Sequence, residues 1–158
     1  MHEFELIKEK FRALTFDRAE AAGLLDDAAI LNIPEGYDLV VSTDSLHQGV
    51  HFHSDDTPAH IAKKALRVNL SDLAAMGARP YCYQSAIGFA GVPDDQWVKE
   101  FVNALLADQQ EFGLFCSGGD TTSTGTGGVL SITITIMGTV PGGRGVKRHG
   151  AKADDIIV

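Results

Sequence analysis

The residues of this sequence best suited to chemistry are aspartates with apolar or small neighbours. Four such positions stand out: Asp26-Asp27, Asp44, Asp72 and Asp120. A single aspartate of this kind is usually a turn or cap residue. Asp72 is different, because it lies inside a helical pattern, where aspartate is a mediocre helix former, one turn after Asn69. A buried carboxylate needs a cation or several donors to stay ionised, so the sequence predicts a bound metal ion at Asp72.

The oxygen ligands near these aspartates, carboxylates and hydroxyls, suit Mg²⁺ rather than zinc. Magnesium usually takes one or two carboxylates and shares its other positions with water and phosphate. The chain carries 21 acidic and 13 basic residues, a formal net charge of −8. This balance disfavours nucleic acid and anionic membranes as partners. Bound metal ions would supply the positive field that a phosphate ligand needs.

Two further groups of residues leave alternatives open. The histidines 47, 51, 53 and 60 cluster in sequence, and His51 and His53 are predicted to point to one face of a strand. A zinc site is the less favoured interpretation, because the spacing matches no zinc signature, and His51 contacting an anionic ligand is favoured. The basic stretch 142–150 predicts either a solvated loop or an arginine that pairs with phosphate. The phosphate-loop and kinase-type glycine motifs are absent from the sequence.

The elements that must position these residues follow from apolar periodicity and turn residues. Helices are predicted over 3–14, 57–77 and 94–113, and strands over 28–31, 39–42, 81–89 and 129–139. The glycines at 118–119 and 125–128 are predicted as turns, and a further strand is predicted to begin at Ile156. Cys82 and Cys116 are predicted as buried free thiols. Strands interleaved with two good helices predict an α/β or α+β domain of 158 residues.

The compartment is predicted from two absences in the sequence. No apolar run approaches the ~20 residues of a membrane span. Residues 1–18 contain no apolar core of a secretory signal. We therefore expect a cytoplasmic protein without a membrane partner.

Six stretches, in order along the chain, resemble the signature motifs of the thiamine-monophosphate kinase family. They are 26–29, 42–52, 64–78, 118–122, 138–141 and 148–151. The long motif at 64–78 is specific. Related members of the superfamily, such as aminoimidazole ribotide synthetase, selenophosphate synthetase and the hydrogenase-maturation dehydratase, share a shorter Asn-Asp version of it. The four-residue form Asn69-Leu70-Ser71-Asp72 therefore favours the thiamine-monophosphate kinase family.

The resemblance implies ATP-dependent phosphorylation of thiamine monophosphate, giving thiamine diphosphate and ADP. The Mg²⁺ ligands that it implies are Asp27, Ser42, Thr43, Asp44, Asp72 and Asp120. Gly119, Asp120 and Arg148 would contact ATP, and His51 would contact the thiamine phosphate. The implied fold is an aminoimidazole ribotide synthetase-like N-terminal domain: a mixed sheet with two long helices on one face, completed as a barrel across a homodimer.

The sequence departs from the family in two respects. The family usually has glycine before the paired aspartates, where this chain has Leu25. The family chain is also about twice as long. Residues 1–158 are thus expected to be a single N-terminal ATP- and Mg²⁺-binding domain without the C-terminal domain, and inactive alone. The alternatives are another ATP-using member of the superfamily and a non-catalytic nucleotide-binding dimerisation module.

Overall fold

The computed structural model describes residues 3–156, which form a four-stranded sheet covered by two long helices. The strands are β1 (Tyr37–His47), β2 (Arg79–Phe89), β3 (Phe115–Ser123) and β4 (Ser131–Pro141). The long helices are α2 (Pro58–Ala75) and α3 (Asp95–Phe112). A short helix, α1 (Glu3–Leu6), continues as a π-helical turn (Ile7–Phe11) and a 3₁₀ turn (Arg12–Thr15), and a second 3₁₀ segment covers Ala19–Leu24. The predicted α/β class is confirmed.

The sheet is mixed. Its strand order is β1-β4-β2-β3, so β1 and β3 are the edge strands. Strands β2 and β3 are parallel and are joined through α3, whereas β4 runs antiparallel to both β1 and β2. A parallel pair needs a long crossover of this kind, which explains why a full helix separates two neighbouring strands.

Both long helices begin where the sequence predicts. The Thr57 hydroxyl oxygen accepts a hydrogen bond from the His60 amide at 3.3 Å, and proline occupies the first helical position of α2. The Asp94 carboxylate caps α3 in the same way, accepting from the Trp97 amide at 2.9 Å. Gly113 ends α3 in the left-handed conformation that glycine adopts most easily.

The core lies between the sheet and the two helices. Alternate residues of β4, namely Ile132, Ile134 and Ile136, are fully buried against side chains such as Leu66 of α2 and Phe101 of α3. The residues between them in β4 point to the other face, because side chains alternate along a strand. The predicted arrangement of two helices on one face is confirmed, and the other face, here called the open face, carries polar side chains. Within residues 3–156, no helix combines the length and the apolar character needed to cross a bilayer.

Two local predictions are wrong. Residues 28–31 form no strand: the Ile30 amide donates to the Glu20 carbonyl at 3.2 Å, and the Ile30 side chain is exposed. The segment packs along the surface instead of entering the sheet ladder. Gly118 and Gly119 are not a turn either, since they lie inside β3 and pair with β2. The strand predicted to begin at Ile156 falls largely on 157–158, outside the described residues.

The other elements agree with prediction. The helical start of the chain is confirmed, although it breaks into short turns of different type. The predicted strands at 39–42, 81–89 and 129–139 correspond to β1, β2 and β4. Cys82 and Cys116 are both buried free thiols, as expected.

Candidate functional site

A cavity of about 570 Å³ lies beside β2, β3 and β4 and includes side chains of the open face of the sheet. We call it the open-face cavity; its polar lining includes Asp26, Asp27, Gln84, Gly119, Asp120, Thr133 and Thr135. Asp120 pairs with Ala86 of the parallel neighbour β2. Paired residues of neighbouring strands have their side chains on the same face of the sheet. Because Ala86 also pairs with Thr133 of β4, the Asp120 side chain lies on the open face. Two predicted metal ligands, Asp27 and Asp120, thus line one cavity with a predicted nucleotide contact, Gly119.

Strand β1 is connected to the same face through hydroxyl groups. The Thr43 hydroxyl donates to the Thr135 hydroxyl at 3.0 Å, and the Ser45 and Thr133 hydroxyls lie 2.7 Å apart. Because β1 and β4 are antiparallel, these are direct cross-strand pairs. Thr43, a predicted ligand, therefore lies beside the threonines that line the open-face cavity.

A second cavity, of about 350 Å³, lies between β1, the C-terminal end of α2 and the loop after β4. We call it the α2–β1 cavity; it is lined by Ser42, Asp72, Met76, Lys147 and Arg148, among others. The Ser42 hydroxyl donates to the Asp72 carboxylate at 2.5 Å. The amide of Val146 donates to the Met76 carbonyl at 3.0 Å and so ties the basic loop to the end of α2.

The predicted ligands on β1 thus point in opposite directions. Ser42 contacts α2 on one face, whereas Thr43 contacts β4 on the other. Asp44 follows Ser42 by two residues and shares its face, because the side-chain period of a strand is two. Of these residues, Ser42 lines the α2–β1 cavity, and Thr43 contacts a threonine that lines the open-face cavity.

Asp72 does not have the buried environment that the sequence suggested. It is exposed near the end of α2, and its neighbour one turn earlier, Asn69, is fully buried. The Asn69 amide nitrogen donates to the Ala65 carbonyl at 2.9 Å. The expectation of burial is wrong because Asn69 and Asp72 point in different directions from the helix axis. Asn69 points into the core, whereas the Asp72 side chain lies at the edge of the helix–sheet interface and reaches solvent.

His51 lies in a tight turn after β1, not in a strand. The amide of His51 donates to the His47 carbonyl at 2.9 Å, and the Phe52 side chain is buried in the core. The prediction that His51 and His53 share a strand face is therefore wrong. The turn forms because Gly49 takes a positive φ of 82°, which a glycine adopts without a steric penalty.

The electrostatics of the open-face cavity are dominated by carboxylates. Asp26, Asp27 and Asp120 line it, whereas the basic side chains Lys147 and Arg148 line the α2–β1 cavity. Cys116 also borders the open-face cavity, and burial raises the pKa of its thiol to about 12. The thiol is accordingly neutral at physiological pH and adds no negative charge there.

The backbone that leads to Asp27 is unusual. Ala22, Gly23 and Leu24 all adopt positive φ angles of 46°, 62° and 60°. For Ala22 and Leu24 this left-handed conformation costs about 1–2 kcal/mol each. Leu25, where the resemblance implies glycine, is 77% exposed and lines the open-face cavity. It adds an exposed apolar side chain to the cavity wall.

The available donors fit magnesium bound together with phosphate, but not a cage made of protein side chains alone. Within the described residues there is no group of three or more His, Cys, Asp or Glu side chains placed to hold a metal ion. That finding gives no support to the zinc alternative. It is compatible with Mg²⁺, which needs only one or two carboxylates when phosphate and water fill its other positions. Pairs such as Asp27 with Asp120 in one cavity have that composition.

Several residues in or near the predicted site were not identified from the sequence. The hydroxyls of Thr133 and Thr135 were visible as the polar face of β4, but nothing in the sequence linked them to Asp27. Gln84 had no signal, because its position depends on the pairing of β2 with β3. Lys64, whose ammonium group donates to the His51 carbonyl, lies inside the long motif and could have been noticed there.

Comparison with known proteins identifies the family. The model of the family "AIR synthase related protein, N-terminal domain" matches residues 25–140. This chain belongs to that family. The match includes β1, β2, β3, both long helices and nearly all of β4, and it ends before the basic loop that carries Lys147 and Arg148.

Individual relatives of this AIR synthase related domain are similar over nearly its whole length. Thiamine-monophosphate kinase of Salmonella typhimurium is 45% identical over 156 residues, which are 98% of this chain and 46% of the relative. The crystal structure of thiamine-monophosphate kinase from Stenotrophomonas maltophilia K279a has 38% identity and a TM-score of 0.78, covering 94% of this chain and 45% of that one.

A more distant structure shares the fold. Hydrogenase maturation protein HypE in complex with ATP is 25% identical with a TM-score of 0.75, covering 91% of this chain and 42% of that chain. The domain spans about half the length of the relatives it matches.

Proposed function

We propose that this domain is the N-terminal part of an enzyme that transfers the terminal phosphoryl group of ATP to thiamine monophosphate. The observation that carries the proposal is the 45% identity to a thiamine-monophosphate kinase across 98% of the chain. The geometry supports it, because carboxylates, hydroxyls and a basic loop line two cavities of the domain, one beside β2, β3 and β4 and one between β1 and α2. The solved structure of HypE with ATP supports ATP as the nucleotide for this fold.

The proposal assigns metal binding to oxygen donors in both cavities. Asp27 and Asp120 would hold Mg²⁺ in the open-face cavity, and Asp72 with Ser42 would do so in the α2–β1 cavity. The remaining predicted ligands lie on β1, and each would contact an ion on its own face of the sheet. Asp44 would approach such an ion from the Ser42 side and Thr43 from the other.

The remaining contacts concern the two phosphate compounds. Arg148, in the basic loop beside Asp72, would pair with an ATP phosphate in the bidentate way that guanidinium allows. Gly119 brings the backbone of β3 to the wall of the open-face cavity next to Asp120. His51, exposed in its turn, would donate a hydrogen bond to the phosphate of thiamine monophosphate.

The chemistry of the acceptor explains why carboxylates dominate the site. A phosphate monoester is mostly ionised at neutral pH, since its second pKa is near ~6, and it needs no general base to become a nucleophile. The obstacle is the repulsion between two anions. Bound Mg²⁺ supplies charge neutralisation and in-line alignment of the two phosphates. The protein residues then serve to hold the ions and to orient the acceptor.

The proposal extends to the whole protein. Residues 1–158 would form a single N-terminal domain, a further C-terminal domain would complete the active site, and the sheet would close as a barrel across a homodimer. The free edge of β1 and the exposed apolar side chains Leu39 and Val41 on its open face are compatible with such pairing. A cytoplasmic location belongs to the same proposal.

The test is a coupled assay of ADP formation that compares thiamine monophosphate with thiamine. It is run on this chain and on a complete enzyme that contains it. We expect the complete enzyme to form ADP only with thiamine monophosphate and Mg²⁺, and this chain alone to be inactive. A complete enzyme that phosphorylates thiamine equally well, or neither compound, would contradict the proposal.

Variants test the metal assignment in the same assay. Asp72→Asn and Asp120→Asn in the complete enzyme should abolish turnover, because each removes a charge that the proposed ions require, while the fold is retained. Asp55→Asn is the matched control: Asp55 is exposed and lines neither cavity, so the same change there should leave the rate unaltered. Near wild-type activity of either site variant would reject the assignment.

A non-catalytic nucleotide-binding module is the alternative, and one measurement distinguishes it. ATP with Mg²⁺ would raise the Tm of such a module, since binding to the native state stabilises it. No phosphoryl transfer would accompany that rise, even in the complete protein.

A further inference from the structure

The turn that carries His51 is fixed at both ends by main-chain hydrogen bonds. His51 donates its amide to the His47 carbonyl at 2.9 Å, and the Gly49 amide donates to the Phe52 carbonyl at 2.8 Å. Phe52, 4% exposed, anchors the turn in the hydrophobic core. The backbone around His51 therefore has little freedom, although the imidazole itself is exposed.

A further hydrogen bond reaches the imidazole ring. The His47 amide donates to Nδ1 of His51 at 3.0 Å. A nitrogen that accepts a hydrogen bond cannot carry a proton, so in this geometry the proton of the neutral ring is on Nε2. The ring is thus presented to solvent as an Nε2–H donor. This is the form that can donate a hydrogen bond to a phosphate oxygen.

Lys64 contacts the same residue from α2. Its ammonium group donates to the main-chain carbonyl of His51. Lys64 lies on α2, eight residues before Asp72, so the contact connects the turn to the helix that carries a proposed metal ligand. The main-chain hydrogen bonds that fix the turn do not use this carbonyl, so the Lys64 contact adds a constraint on the peptide group next to the ring.

We propose that Lys64 is a positioning residue for His51. Together with the His47 amide, it holds His51 as the Nε2–H tautomer aimed at the phosphate of the acceptor. The part of this inference that concerns the acceptor rests on the proposed function. The part that concerns the tautomer does not, and it can be measured on the protein without any substrate.

The first experiment is a long-range ¹H–¹⁵N NMR spectrum of the histidine rings at pH 8, where imidazole is neutral. We expect His51 of the wild-type protein to show the Nε2–H tautomer. Lys64→Met should convert it to a mixture of tautomers, and Lys64→Arg, which keeps a donor, should restore the wild-type pattern at least in part. Lys63→Met is the matched control, because it removes the neighbouring lysine of the same helix. A wild-type Nδ1–H tautomer, or a Lys64→Met spectrum like that of the wild type, would overturn the proposal.

The second experiment measures steady-state kinetics of the complete enzyme. Lys64→Met should raise the KM for thiamine monophosphate about tenfold, with kcat and the KM for ATP changed much less, as expected for a lost supporting contact. His51→Gln places an amide nitrogen near the position of Nε2 and should retain more affinity for the acceptor than His51→Asn.

The two experiments test separately whether Lys64 positions His51 and whether His51 contacts the acceptor phosphate. A changed NMR spectrum with an unchanged KM supports the positioning role of Lys64 and rejects the assignment of His51 to the acceptor phosphate. Absence of kinase activity in the wild-type enzyme rejects the proposed function, and the NMR result still decides the role of Lys64. A normal Tm of each variant shows that folding is not the cause of any change.

Discussion

We predict that Gly119 is needed for the close packing of β3 against β2. A methyl group at this position would lie 2.0 Å from the carbonyl oxygen of Ser85, whereas ordinary contact begins at about 3.4 Å. Ser85 belongs to β2, the direct neighbour of β3 in the sheet. The obstacle is main chain in the middle of a paired strand, so it cannot rotate away as a side chain could. Gly119→Ala must therefore push the two strands apart.

The magnitude follows from this geometry. To reach ordinary contact, the strands must separate by roughly 1.4 Å near this pair, which exceeds the range in which N–H···O hydrogen bonds persist. Overpacking of this type costs about 1–3 kcal/mol. The loss of two ladder hydrogen bonds adds about 0.5–1.5 kcal/mol each. We expect Gly119→Ala to reduce the free energy of unfolding by about 2–6 kcal/mol, which corresponds to a Tm lower by roughly 10 °C for a domain of this size.

The neighbouring glycine provides the control. A methyl group at Gly118 would lie 3.4 Å from the amide nitrogen of the Gln84 side chain, which is exposed and can move. Gly118→Ala should therefore change the free energy of unfolding by less than about 1 kcal/mol. Urea and thermal unfolding followed by circular dichroism measure both variants. Equal stability of the two variants would refute the packing argument and leave contact with the nucleotide as the reason for glycine at 119.

Two further predictions concern a partly buried ion pair and two buried thiols. Arg67 forms two hydrogen bonds to the Asp108 carboxylate, which is 1% exposed, so Arg67→Met should leave a buried charge unpaired. We expect it to lower the free energy of unfolding several times more than Glu111→Gln, which removes only the charge of the exposed partner of Arg67. Equal losses of unfolding free energy in urea would contradict this. Burial raises the pKa of the Cys82 and Cys116 thiols to about 11 and about 12, from 9.0 when unfolded. The unfolded chain then loses these protons first, so the stability is complete below pH 9 and should fall above it by about 1.4 kcal/mol per pH unit for each thiol. A urea-unfolding series from pH 8 to about pH 11 on the wild type and on the double alanine variant measures the difference, and identical profiles would disprove the assignment.

Helices and strands could be predicted where the residues that define them are close together in the sequence. Thr57-Pro58 and Asp94 predict the starts of the two long helices, because N-capping depends on residues only three positions apart. The alternation in β4 likewise predicts a strand with one buried face. Strand β3 was missed because Gly118 and Gly119 favour turns locally, whereas close approach to β2 is what requires glycine there.

The site shows the same division. Four of the aspartates that line or adjoin the cavities could be selected from their neighbours in the sequence, and the motifs around them indicated the family. The arrangement of these aspartates in space could not be predicted. Asp27 and Asp120 are 93 positions apart in the sequence and line the same cavity only because the N-terminal segment packs against the sheet. The burial predicted for Asp72 failed for a related reason: a helical wheel gives the angle between residues but not the distance to the sheet.

The sequence by itself determined the class of fold, the starts of the helices, the oxygen-rich set of candidate ligands and the family resemblance, because these depend on residue type and short spacing. Only the tertiary structure decided that Ser42 and Thr43 serve opposite faces of β1, that Gly119 is required by the approach of β2, and that Lys64 contacts His51. Each of these depends on strand order and register, which arise from contacts between distant segments. The chemistry of the residues is local, but the assembly of a site is not.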